Sequence, residues 1–270
     1  MNGGFSYTGP NVGYVVRATP ENHEAVSFPD LKKVSDDQLV GLIGSASGVT
    51  RQYAQREILV RGGKDEPSRF ERGLQALASS RDTLAVRVAA LFTLTQLEPG
   101  RSNEFIASLV KDEDLREFAL RALCDRKNDA NVPAGPFLQG LSDANPRVRL
   151  MAAWGLGRLG KRDAAGQMMA LVGDADPLVA HVAINALVSL DAGAAALRAI
   201  DLTTAKLVPG AVRVLQELHE THVVDGLVER LKSIQDPAIR GLVYRGLCRL
   251  YFREADWTGG LVGDSAGHLG

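Results

Sequence analysis

The residues of this 270-residue chain with types suited to chemistry are its five histidines, its two cysteines and a recurring arginine. His219 and His222, three apart, could share one helix face and offer two nitrogens to a metal. No acidic or cysteine cluster completes that shell, so the reading is two surface histidines and no metal. Cys124 and Cys248 lack the CxxC spacing of a zinc site and the CxxCH of haem attachment. They occupy the same position in repeat units four apart. At about 10 Å per stacked helical layer they would be separated by on the order of 40 Å, far beyond the roughly 7 Å limit for a disulfide. Both are expected to be buried, reduced packing residues. Gly259, Gly260 and Gly263 form no strand-flanked phosphate loop, so the tail reads as flexible. No catalytic residue and no cofactor is assigned.

The arginines carry a regular signal. DANPRVRLMAAWGLGRLG (143–160) and DADPLVAHVAINALVSLD (174–191) share one grammar, with a step of 31 between Asp143 and Asp174. Arg149 is taken as position zero, with an aliphatic residue at −1, a small one at +3 and an aliphatic one at +7. The pattern then recurs at Arg51, Arg87, Arg116, Arg149, Ala180, Ala211 and Arg240, in steps of 36, 29, 33, 31, 31 and 29. Position +3 holds Ala54, Ala90, Ala119, Ala152, Ala183, Val214 and Val243; position +7 holds Ile58, Leu94, Leu123, Leu156, Leu187, Leu218 and Leu247. Only Thr50 and Gly210 break the aliphatic rule at −1.

These positions lie on one face of a helix with 3.6 residues per turn, and the small residue at +3 admits a neighbouring helix. Upstream lie further helical candidates: Ser35 to Ile43, Ser68 to Ala78, Asn103 to Val110, Pro136 to Leu141, Ala164 to Val172 and Val223 to Ile234. Asn145-Pro146, Asp176-Pro177 and Asp236-Pro237 place proline in a helix first turn behind a capping residue. The unit is a helical hairpin. The expected fold is all-α, an α-solenoid of about seven hairpins over 35–252, with an extended leader over 1–34 and a Gly-rich tail over 253–270. GYVVRA, 13–18, is the one strand candidate.

The net charge of −1 weighs against a general nucleic-acid binder, which normally shows a basic excess. No run approaches the roughly 18 to 20 apolar residues of a membrane span, and MNGGFSYTGP has neither the basic start nor the apolar stretch of a signal peptide.

The two quoted words resemble HEAT repeats, including the HEAT-like units of bilin lyases, over roughly 35–252. The resemblance implies a hydrogen-bonded ladder between units built from Asp143 and Arg149; Asp174 keeps the acid, while Ala180 has lost the base and should interrupt it. A narrower resemblance lies at the ends. The stretch from GYVVRATPENHEAVSFPDLKK to AQREILVR, and CRLYFREADW (248–257), are similar to the HEAT region of PVC-type membrane-bound dehydrogenase proteins. There it stands between a β-propeller, whose close the leader would represent, and a c-type haem domain. That resemblance implies a middle segment of a bacterial envelope oxidoreductase, located in the periplasm or envelope; without it a cytoplasmic location is expected. The rival readings are a cytochrome-linked oxidoreductase subunit or a bilin-lyase-like protein. His23-Glu24 and His219-Glu220 resemble the dyads of deoxyhypusine hydroxylase, a HEAT-repeat di-iron enzyme, which needs several at matched repeat positions; these two are not matched. A repeat DNA glycosylase would need a strongly basic surface.

With −1, +3 and +7 inward, the opposite direction of the wheel is position +5: Arg56, Phe92, Arg121, Trp154, Asn185, Gln216 and Arg245. The HEAT resemblance implies that this row lines the concave side. Trp with Arg is the composition of interface anchors, so the row is expected to bind a protein partner or a neighbouring domain.

Overall fold

The computed structural model describes residues 16, 18–22, 27–63, 68–97, 100–201 and 205–253. His23-Glu24, Trp257, the tail glycines and most of GYVVRA lie outside them. Among the described residues there are fourteen α-helices and no strand. They form seven hairpins: α1 (Asp36–Leu42) with α2 (Gly48–Gly62), α3 (Ser68–Ala78) with α4 (Leu84–Leu97), α5 (Asn103–Ser108) with α6 (Arg116–Leu123), α7 (Gly135–Gly140) with α8 (Pro146–Arg158), α9 (Ala165–Met168) with α10 (Pro177–Ser189), α11 (Gly193–Asp201) with α12 (Val208–Leu215), and α13 (Thr221–Leu231) with α14 (Pro237–Leu250). The molecule is an α-solenoid.

Local chemistry starts these helices where they start. The Asn145, Asp176 and Asp236 side chains accept from the N–H groups of Arg147 (3.0 Å), Leu178 (2.8 Å) and Ala238 (2.8 Å). In each case a proline follows at the first helical position, where its missing N–H costs nothing. At α1, Ser35 and Gln38 form a reciprocal capping box.

Position +3 is buried in all seven units, from Ala54 to Val243. Positions −1 and +7 are buried in the first six, and at the last unit Ile239 and Leu247 are only half-buried. Two elements differ from the sequence template. α12 ends at Leu215, so Leu218 reaches the core from the following loop, and α6 begins at Arg116 itself, behind a turn set by Asp112.

The two layers of the stack are not equally dense. Each second helix packs substantially on the next, α2 on α4 and so on to α12 on α14; among first helices, comparable contact is confined to α1 on α3 and α11 on α13. The densest contact between second helices is α8 on α10, and glycines let α8 approach its neighbours on two sides, Gly157 towards α10 and Gly155 towards α7. A Cβ on Gly157 would lie 2.7 Å from that of Ala186, and one on Gly155 would lie 2.2 Å from the Phe137 ring of α7.

The cysteines part company. Cys124 is buried against the α7–α8 hairpin, and burial pushes its thiol up to about 12. Cys248 is exposed, contrary to the expectation of two packing residues. It lies on the last described helix, over which no later described helix packs.

Candidate protein-interaction face

Position-zero arginines bond within their own unit, to the following unit, or to both. Arg149 Nη1 donates to the Asp143 and Ala144 carbonyls of its own turn at 2.9 and 3.1 Å. Its Nε and Nη2 grip both oxygens of Asp174 in the next unit, each at 2.8 Å. Arg116 Nη1 reaches Asp143 Oδ2 at 2.5 Å, and Arg87 reaches Asp112. The pairing runs from Arg87, Arg116 and Arg149 each to the following unit, so the Asp143 carboxylate meets Arg116 rather than Arg149, while Arg51 and Arg240 bond to carbonyls of their own units. At Ala180 no guanidinium is present to continue it. The aspartates hold their turns as well: Oδ1 of Asp112, Asp143 and Asp174 accepts the N–H two residues on, at 3.0, 2.8 and 2.8 Å. This double use accounts for the repeated Asp-x-(Asn/Asp)-Pro words at 143 and 174.

The Arg149 fork holds the Asp174 carboxyl below the usual aspartate range. For Asp112 and Asp143 burial is the largest single influence and pushes upward. Hydrogen bonds from the paired arginine and from the turn N–H groups together outweigh it, so both carboxyls also sit low.

Across the second helices, Arg56, Arg121, Asn185 and Arg245 are exposed, and Phe92, Trp154 and Gln216 are half-buried. The aromatic residues are packed on the edge of the core, each with a guanidinium on its ring. Arg121 lies 5.9 Å from the Phe92 centroid. Trp154 takes Arg158 at 5.2 Å from its own helix, not Arg121. Arg158 also donates to the carbonyls of Cys124 (2.7 Å) and Asp125 (2.5 Å), tying α8 to the end of α6. Arg158 is absent from the +5 row; its spacing of four from Trp154 is the signal that would have found it. Half-buried Phe118, Met151 and Val182 stand at position +2 of α6, α8 and α10 and share this face by register.

Two adjoining depressions follow the row. The first, about 360 Å³, is lined by Lys127, Trp154, Gly157, Arg158, Val182, Asn185, Ala186 and Ser189. Asn185 also borders the second, about 340 Å³, with His181, Ile184, Val188, Arg213, Gln216 and Glu217. Arg56 borders a separate depression of about 590 Å³ beside the edge-on Phe28–Tyr53 pair, away from Trp154. His219 is exposed in the loop after α12, while His222 Nδ1 lies 3.0 Å from Glu220. Among the described residues no three or more His, Cys, Asp or Glu side chains converge as a metal would require, and no helix is long and apolar enough to cross a membrane.

Residues 135–205 match the family model described as HEAT repeats. This segment is the part of the chain that is similar to HEAT repeats. It contains the two Asp-x-(Asn/Asp)-Pro words, Trp154 and the first depression apart from Lys127. Similar solved structures include the CpcE–CpcF complex of phycocyanin lyase from Nostoc sp. PCC7120, at 15% identity over 86% of this chain and 100% of that one, with a TM-score of 0.46. The Escherichia coli protein YibA matches at 15% identity over 85% of this chain and 100% of its own, TM-score 0.47. A designed armadillo repeat protein in complex with the peptide (KR)4 matches at 17% identity over 80% and 100%, TM-score 0.30. A comparison with curated proteins finds no match.

Proposed function

We propose that this chain is a non-catalytic HEAT-repeat scaffold that binds a protein partner, or a neighbouring domain of a longer polypeptide, along its second helices. The observation that carries the reading is the row of exposed cations and half-buried aromatic residues on that layer, with two depressions along it that share Asn185. The packing of the two layers supports a concave setting. Because second helices touch one another more densely than first helices do, the stack would curve toward the second-helix side and offer Trp154 and Asn185 to whatever lies inside. Site-specific photo-crosslinking in the source cell tests this. A crosslinker at Asn185 should capture one discrete partner or domain, and the same group at exposed Gln139 on α7 should capture none. Crosslinks from Gln139 alone would contradict the reading.

The resemblance of the two ends to PVC-type membrane-bound dehydrogenase proteins supports a place for this chain as the middle segment of such a protein, in the bacterial envelope. On that reading the HEAT stack spaces and docks redox domains and does no redox chemistry of its own. The coding sequence on both sides is the test: a propeller upstream and a CxxCH downstream are expected, and unrelated flanking frames would refute it.

A further inference from the structure

We infer that the groove across α8, α10 and α12 receives an acidic segment of a partner protein, with an apolar side chain laid against Trp154 and carboxylates directed to Lys127 and Arg213. The inference rests on the reading of this face as an interaction surface and adds the chemistry of its occupant.

The charge of the groove is one-sided. The first depression has two cations, Lys127 and Arg158, and no carboxylate in its lining. The second adds Arg213 against the single acid Glu217. This local excess of three cations over one anion stands in a chain whose net charge is −1. Lys127 and Arg213 are the groups with charge to offer, since among the described residues neither makes an ion pair or a side-chain hydrogen bond. Arg158 is committed to the Cys124 and Asp125 carbonyls and to the Trp154 ring, so it adds positive field without needing to move.

The floor selects for the rest of the occupant. Trp154, Gly157, Val182 and Ala186 present an apolar patch, with the Asn185 amide and Ser189 hydroxyl at its margin for main-chain hydrogen bonds. An acidic segment without an apolar residue would leave that patch wet, and an apolar segment without acids would leave Lys127 and Arg213 unanswered. The groove also has a boundary. Beyond Glu217 the next depression contains Asp191, Glu217 and Glu220, with Arg249 and Arg253. There carboxylates outnumber arginines three to two, so the excess of positive charge ends with Arg213 and the segment should end near α12.

Capped peptides alternating leucine with glutamate, glutamine or lysine test the inference on the full chain. The readout is the Trp154 indole resonance, assigned through Trp154→Phe, together with the Asn185 amide. The glutamate peptide should move both saturably, and its affinity should fall as ionic strength rises from about 0.05 to about 0.5 M. Lys127→Glu, at an exposed loop position, should weaken it by about tenfold or more and leave the thermal midpoint unchanged. The glutamine peptide should bind more weakly, and the lysine peptide should not bind. If the glutamine or lysine peptide moves the same resonances at least as tightly as the glutamate peptide, the acidic occupant is wrong while the interaction surface stands. If the glutamate peptide leaves both resonances unmoved, the inference is overturned, and crosslinking from Asn185 decides the broader reading by itself.

Discussion

Arg149 closes its own turn through backbone carbonyls and holds the next unit through Asp174, so one residue serves both the hairpin and the stack. Charged hydrogen bonds of this kind are worth roughly 1.5 to 3 kcal/mol. The pair is largely shielded, at 18% and 8% side-chain exposure. Arg149→Ala and Asp174→Ala should each destabilise by that order, and the double variant should be clearly non-additive in a urea-unfolding cycle. The Arg149 and Asp143 cycle should show much weaker coupling, because the Asp143 carboxylate pairs with Arg116. The six-residue spacing of Asp143 and Arg149 is legible in the sequence. The partner is not, because the turn aspartate is equally placed for the arginine of its own unit and for that of the unit before. The depressed carboxyls of Asp112, Asp143 and Asp174 add a pH signature. Their stabilisation is present above the ordinary aspartate value of 3.8 and is lost as pH falls below it through the lowered folded values. The deficit of Asp174→Asn relative to the parent should therefore be full at neutral pH and close in strong acid; a deficit independent of pH would contradict the pairing. Native-state alkylation should modify Cys248 and spare buried Cys124.

At the scale of the element, the second helices are the part most legible in the sequence, because one face of each must meet the core and its period of 3.6 shows through. First helices follow no common template and vary in length, although α3, α11 and α13 are strongly amphipathic. α11, Gly193–Asp201, is not among those the periodicity picks out: its first four residues are glycine and alanine, and larger apolar groups arrive only at Leu197 and Ile200. The glycines of α8 are the reverse case, unfavourable for a helix by about 1 kcal/mol each relative to alanine yet required by packing. Gly155→Ala would drive a methyl into the fully buried Phe137 ring. Overpacking of that kind costs up to about 3 kcal/mol, against roughly 1 kcal/mol of helix propensity regained. The net expectation is a loss of about 2 kcal/mol in denaturant unfolding, and a stabilised Gly155→Ala would show that α7 and α8 are less closely packed.

For the whole molecule, seven units of one template stack so that −1, +3 and +7 point inward and +5 points away from the core. The wheel sets the row opposite the core; four of its seven side chains are exposed, and Phe92, Trp154 and Gln216 are half-buried. What the wheel could not supply is how neighbours change the environment of each side chain: Trp154 is half-covered rather than free, because Arg158 folds back over it while holding the end of α6. Trp154→Ala, measured both for binding to the partner captured at Asn185 and for thermal stability, separates an interface anchor from a core residue. Binding should fall at least tenfold while Tm falls by only a few degrees, the cost of about 1 kcal/mol in a chain of this size. A large loss of stability with binding unchanged would contradict the anchor role and make Trp154 a core residue of the stack.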